Sequence, residues 1–145
     1  MIYPLRSDLG FLLSRVSGLV VKTTNAALAA HGLRVRHYSV LALACETSAG
    51  SSQRDLASVL GLDPSQVVLL VDELAGSGLI ERRPDPNDRR SRLVAATEAG
   101  RSLHEVAGRE AAAVLDERSW ACLSEAEQST LRVLLTRIWA STEQQ

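Results

Sequence analysis

The chain lacks the residue patterns that the commoner kinds of chemistry require. Nowhere in its 145 residues does a run of about 18 apolar residues go uninterrupted by charge, so no membrane-spanning helix is expected. The opening segment MIYPLRSDLGFLLSRVSGLV has an acidic residue and no cleavage pattern ahead of its apolar part, so no secretory leader is expected and the expected location is cytoplasmic. The two cysteines, Cys45 and Cys122, form no Cys-x-x-Cys pair, and none of the three histidines stands one helical turn from another, which leaves no metal-ligand spacing. There is no glycine-rich phosphate loop, no nucleophile elbow and no carboxylate pair in an apolar setting, so catalysis is not expected and no cofactor is implied. Aromatic residues make up only 3% of the chain, and a single lysine, Lys22, stands against fifteen arginines; we draw no chemistry from that skew.

What the chain does have is aliphatic and alanine-rich, with 46% hydrophobic residues. That make-up favours helices, and the length suits one domain, here residues 1–145. The expected fold class is mainly α with a small β-hairpin.

The stretch from Ser52 to Arg92 reads as two short helices, a tight turn and a hairpin with a charged tip. Ser52 can accept a hydrogen bond from an amide of the first turn, with Asp55 three residues on to answer it. Leu56, Ala57 and Leu60 then share one face, and Gly61 stands where a left-handed residue ends the helix. Asp63, Pro64 and Gln66 are a cap, a first-turn proline and the far side of a capping box, so a second helix is expected over Pro64 to Ala75. Its buried stripe is Val67, Leu70, Val71 and Leu74, which leaves Ser65, Gln66, Val68, Leu69, Asp72 and Glu73 outward. Two such helices joined by a short glycine turn suggest a helix-turn-helix, whose second helix enters the major groove of DNA.

Gly76 and Gly78 stop that helix, and apolar runs at Leu79–Ile80 and toward Ala96 flank a loop holding Pro84, Asp85, Pro86, Asn87 and Asp88. Between Arg82 and Arg92 five arginines face two aspartates, a local balance of plus three in a chain whose net charge is minus one. Such a cluster can neutralise phosphates or enter a narrow minor groove. The plainer alternative is a solvated turn stiffened by Asp–Arg pairs. Directly after a helix-turn-helix, DNA contact is the reading we take.

These residues resemble the MarR family of transcriptional regulators (multiple antibiotic resistance regulator type). The segment GLIERRPDPNDRRSRLVAATEAG, Gly78 to Gly100, is similar to that family's wing and the entry to its fifth helix. The resemblance places Asp85, Asp88, Arg89 and Arg90 on the family's Asp-x-x-Asp-Arg-Arg wing, with Asn87 at a position often held by Arg. It implies a winged helix-turn-helix over residues 33–97 with the wing at 82–92, a linking helix at 97–116 and dimerisation helices at 8–31 and 124–140. It further implies a homodimer on a palindromic operator in double-stranded DNA, with Arg90 in the minor groove. Ser52, Arg54, Ser65, Gln66, Val68, Leu69, Arg89, Arg90 and Arg92 form the expected DNA-contacting set, and Asp85 and Asp88 support the wing. This chain departs from relatives that hold Thr and Arg where Val68 and Leu69 stand and a basic residue where Glu73 stands. Base reading therefore leans on Ser65, Gln66 and apolar contact with thymine methyls. The other-class alternative is a winged helix that binds protein without DNA.

Two amphipathic ends complete the pattern. Leu9, Leu12, Leu13, Val16, Leu19, Val20 and Val21 form one apolar face, and Leu131, Leu134, Leu135, Ile138 and Trp139 another. A module with its own core leaves them needing a two-fold partner, with Leu9, Leu12, Val16, Leu131, Leu134, Leu135 and Ile138 in the interface; packing only on each other within one chain is the alternative. Between the two parts lies the helix RVRHYSVLALAC, Arg34 to Cys45, with Val35, Tyr38, Leu41, Ala42 and Cys45 toward the core. Family resemblance implies a small aromatic or anionic effector where this helix meets the dimerisation helices, with Arg36, His37 and Tyr38 able to hold its carboxylate. The alternative makes Tyr38 a core residue and Arg36 and His37 solvated. Zinc-sensing relatives are only faintly resembled by His37, His104 and Glu105, and no metal site is expected; peroxide-sensing relatives hold a cysteine in the first helix, where this chain has none. A repressor released by ligand is the family default.

Overall fold

The computed structural model describes residues 4–144; residues 1–3 and 145, assigned by sequence to the same domain, lie outside the described residues. Among the described residues six α-helices and one small sheet follow in the order α1 (Leu9–Leu28), α2 (Val35–Glu46), β1 (Ser51–Ser52), α3 (Gln53–Leu60), α4 (Pro64–Gly76), β2 (Ile80–Asp85), β3 (Asp88–Ala96), α5 (Glu98–Leu115) and α6 (Glu125–Thr142), with a short π-helical segment, Asp116–Trp120, continuing α5. The caps expected from sequence begin the helices they were assigned to. Asp63 accepts from the Ser65 amide at 2.9 Å while Gln66 Oε1 accepts from the Asp63 amide at 3.2 Å. At α3 only half of the expected exchange forms: Ser52 Oγ accepts from the Asp55 amide at 3.1 Å, but Asp55, one methylene shorter than the usual Glu, does not reach back.

The core is built around α2. Val40, Leu41 and Ala44 are fully buried, and Val35, Tyr38 and Cys45 of the expected inward face are partly buried and pack against the same core. Helix α2 is gripped by α4 and by α5 and α1. The stripe Val67, Leu70, Val71 and Leu74 is buried as expected, joined by Leu56, Ala57, Ile80 and Val94. Each such Leu or Val contributes roughly 1.5–3 kcal/mol on burial.

The sheet is antiparallel in the order β1-β3-β2, with Ile80 opposite Ala96 and a register shift between Pro84 and Asp85. The strands run further into the loop than the sequence suggests, Pro84 lying within β2 opposite Arg92. Strand β1 was not foreseen; it pairs Ser51 with Val94 and Ser52 with Leu93, which docks the head of α3 on the base of the hairpin. The hairpin leads into α5 through a tight junction. The Thr97 amide donates to Leu79 O at 3.1 Å and its hydroxyl to Gly78 O at 2.7 Å, while the Gly100 backbone lies so close to the Leu79 carbonyl that no Cβ fits between them.

The terminal helices are left uncovered. On α1 only Leu28 is buried, and on α6 nothing is. Helix α1 packs one side on α5 and α2, and α6 makes little contact with the rest of the chain.

Candidate nucleic-acid interface

Helix α4 and the β2–β3 hairpin are fastened by a long-range ion pair, Arg82 of β2 donating to Asp72 of α4. Arg83 is similarly committed, to Glu81 at 2.6 Å and to the Ser48 carbonyl at 3.0 Å. Of the five wing arginines two are therefore structural. Arg89, Arg90 and Arg92 are exposed and, among the described residues, have no ion-pair partner, so their charge is free to meet an anion.

The aspartates at the tip act on backbone. Asp85 Oδ1 accepts from the Asn87 amide at 2.9 Å, and Asp88 takes the Arg90 amide at 2.9 Å and the Ser91 hydroxyl at 3.1 Å. They shape the turn by local side-chain to main-chain bonds; neither pairs with an arginine side chain.

On α4, Ser65, Gln66, Val68, Leu69, Asp72 and Glu73 are all exposed, as expected from the spacing. Most of the polar ones already have partners. The Ser65 hydroxyl donates to Asp63 Oδ1 at 2.6 Å, and this bond, followed by that from the Ser65 amide, lowers the Asp63 carboxyl below its ordinary value. The Gln66 carbonyl is held in the capping box, and Glu73 meets His37 of α2 at 2.5 Å. Ser52 is half-buried at the head of α3, and Arg54 beside it is exposed.

The expected effector trio does not converge. Arg36 is exposed, His37 turns toward Glu73, and Tyr38 is half-buried and stacks on His104 of α5 with ring centroids 5.3 Å apart. Successive helical residues point about 100° apart, so three in a row cannot face one ligand. Tyr38 and His104 are what the structure brings together; His104 lies 66 positions away in sequence, and only its half-buried place on the inner side of α5 marks it. Burial, and then the nearby Cys45, raise the Tyr38 phenol above its usual value. Gly108, one turn along α5 from His104, leaves space that a Cβ would close by meeting the Tyr38 hydroxyl oxygen at 2.5 Å.

The cysteines differ in setting. Cys45 is half-buried and its thiol is raised by burial, with Arg101 opposing, while Cys122 is exposed. Among the described residues no group of three or more His, Cys, Asp or Glu could hold a metal ion, and no helix is long and apolar enough to cross a membrane.

Comparison with known proteins agrees with this layout. The MarR family pattern matches residues 35–91. The chain is 47% identical to CouR from Rhodococcus jostii RHA1, solved bound to p-coumaroyl-CoA, over 94% of this chain and 95% of that one, with a TM-score of 0.87. A variant of MarR from E. coli solved with operator DNA is 27% identical over 90% of this chain and 92% of its own, with a TM-score of 0.79. The transcriptional activatory protein BadR of Rhodopseudomonas palustris is 36% identical over 104 residues, 70% of this chain; the match spans 59% of BadR's length. On these grounds, the chain belongs to the MarR family of winged-helix, DNA-binding transcriptional regulators.

Proposed function

We propose that the chain acts in the cytoplasm as a homodimeric repressor, without enzymatic activity, that holds a palindromic duplex operator and lets go when an aromatic ligand binds. The observation that carries the DNA reading is the trio Arg89, Arg90 and Arg92, without an ion-pair partner among the described residues, on a hairpin that is itself ion-paired to the exposed recognition helix. Phosphate contacts of this kind supply affinity and register, and a second copy places the other recognition helix about 10 base pairs away. Footprinting on DNA upstream of the protein's own gene tests it: two protected half-sites with that spacing are expected, and a single unpaired footprint speaks against a dimer.

Support for the dimer comes from the bare faces of α1 and α6. Leu9 is 67% exposed, Ile138 50% and Trp139 51%, and Leu12, Val16, Leu134 and Leu135 are exposed on the same two helices, the kind of apolar surface that marks an interaction site. Leu131 is half-buried beside the π-helical segment Asp116–Trp120 and contributes less. Removing residues 125–145 should convert the dimer to monomer or aggregate in sedimentation.

For the ligand, the relative bound to p-coumaroyl-CoA favours an aromatic acid or its thioester. The Tyr38–His104 stack between α2 and α5, with Gly108 beside it, offers an aromatic edge there. Release then follows from a ligand that prefers a dimer with wrongly spaced recognition helices. A thermal-shift screen of aromatic acids and thioesters, with Tyr38→Ala as the control, reads this: the variant should keep DNA binding and lose the ligand response.

One observation favours a second reading. Val68 and Leu69 expose apolar surface where a protein partner could dock; the free arginines weigh against it, and a mobility shift with the upstream DNA separates the two.

A further inference from the structure

The outward face of α4 presents an unusual inventory for a helix that reads bases. Asp72 is tied to Arg82, Glu73 to His37, the Ser65 hydroxyl to Asp63 and the Gln66 carbonyl to the Asp63 amide. Held back against the Asp63 amide, the Gln66 side chain would have to leave the capping box to present donor and acceptor together to adenine. What remains unengaged at the centre of the face is carbon: Val68, 40% exposed, and Leu69, 59% exposed.

From this inventory we infer that Val68 and Leu69 are the main specificity-determining residues of the recognition helix and that they read the C5-methyl groups of thymine in the major groove. The inference rests on the DNA-binding reading above and narrows it. In the major groove a base pair offers apolar side chains one distinctive feature, the thymine methyl; every other mark is a hydrogen-bond donor or acceptor. Adjacent residues on a helix sit about 1.5 Å apart along its axis and about 100° around it, so Val68 and Leu69 meet neighbouring positions of the groove wall. Neither residue is needed by the core, whose share of α4 is carried by Val67, Leu70, Val71 and Leu74. The Arg82–Asp72 and His37–Glu73 contacts flank the next turn of the helix and keep both carboxylates from facing the DNA unpaired.

The test uses the intact protein and a duplex enriched by it from a random library. Each thymine in the protected half-sites is replaced by deoxyuridine, which removes the methyl group and leaves pairing unchanged. At one or two positions per half-site, affinity should fall about fourfold for each methyl lost, the worth of one buried carbon group, while deoxyuridine in the flanks should change nothing. Leu69→Ala or Val68→Ala, both at exposed positions, should weaken binding to the thymine duplex and bring its deoxyuridine penalty close to onefold at the matching position. Equal binding of thymine and deoxyuridine duplexes overturns the inference, as does a penalty that persists in both variants, which would place the methyl effect in DNA shape. If no duplex is enriched at all, the DNA-binding reading itself fails, an outcome distinct from either.

Discussion

Asp72 on the recognition helix and Arg82 on the first wing strand, ten residues apart, are joined side chain to side chain. The pair ties the helix proposed to read bases to the strand that leads into the proposed wing. Asp72→Ala removes a negative charge from the DNA side and frees an arginine, so binding to arbitrary duplex should strengthen while the wing loses its register. The ratio of specific to non-specific affinity should therefore fall several-fold in parallel titrations of an operator and a scrambled duplex. An unchanged ratio would show that the pair is only a solvated surface contact.

At the wing tip, Arg90→Ala should weaken binding to all sequences by a similar factor and lower the salt slope by roughly 0.9, the amount for one phosphate contact. Asp88→Ala should also lose affinity, although it makes the tip more positive, because Asp88 holds the Arg90 amide and the Ser91 hydroxyl in the turn. A gain in affinity for Asp88→Ala would mean that the aspartate merely repels phosphate.

How far these elements were legible in the sequence depends on the range of the interactions that make them. The cap at Asp63, the box with Gln66 and the stripe from Val67 to Leu74 are local, set by residues two to four apart, and could be read directly. Strand β1 could not: two serines carry no alternation, and they are extended because Leu93 and Val94 lie opposite. The Asn25 side chain that accepts the Val35 amide at 2.8 Å, and so positions the start of α2 on α1, is likewise a tertiary contact that no spacing announces. The wing arginines were legible as a cluster, with Arg89, Arg90 and Arg92 set apart for DNA, but the partners that engage Arg82 and Arg83, Asp72 on α4 and the Ser48 carbonyl, are tertiary contacts. Arg36, His37 and Tyr38 could be picked out only by adjacency, which in a helix separates side chains, and the stacking of Tyr38 on His104 of α5 is a tertiary contact that adjacency does not announce.

Gln66 illustrates the difference for base reading. Its place near the start of α4 suggests a base contact, but its carbonyl is engaged with the Asp63 amide. Gln66→Ala should cost about 1 kcal/mol of stability in chemical denaturation, the usual worth of a cap, and weaken all DNA sequences alike. Gln66→Glu should keep the stability, because a carboxylate serves the same amide and suits the positive end of the helix. A selective loss at one symmetric pair of operator positions would return Gln66 to the base-reading set.

Gly100→Ala bears on how the module joins the linking helix. The added methyl would press on the Leu79 carbonyl, which cannot move without breaking the hydrogen bond from Thr97. Overpacking of this kind typically costs about 1–3 kcal/mol, so the melting midpoint should fall. Wild-type stability in the variant would mean that the junction can open without loss.

DNA binding through free arginines beside a recognition helix is addressed most directly by one titration: the affinity of the intact protein for duplex from upstream of its own gene, measured across a range of salt concentrations. The prediction is specific binding whose logarithm falls linearly with the logarithm of salt, with a slope that becomes shallower by about 0.9 for each arginine removed when Arg89, Arg90 and Arg92 are replaced by Ala in turn. No binding at low salt, or a slope indifferent to all three arginines, would contradict it.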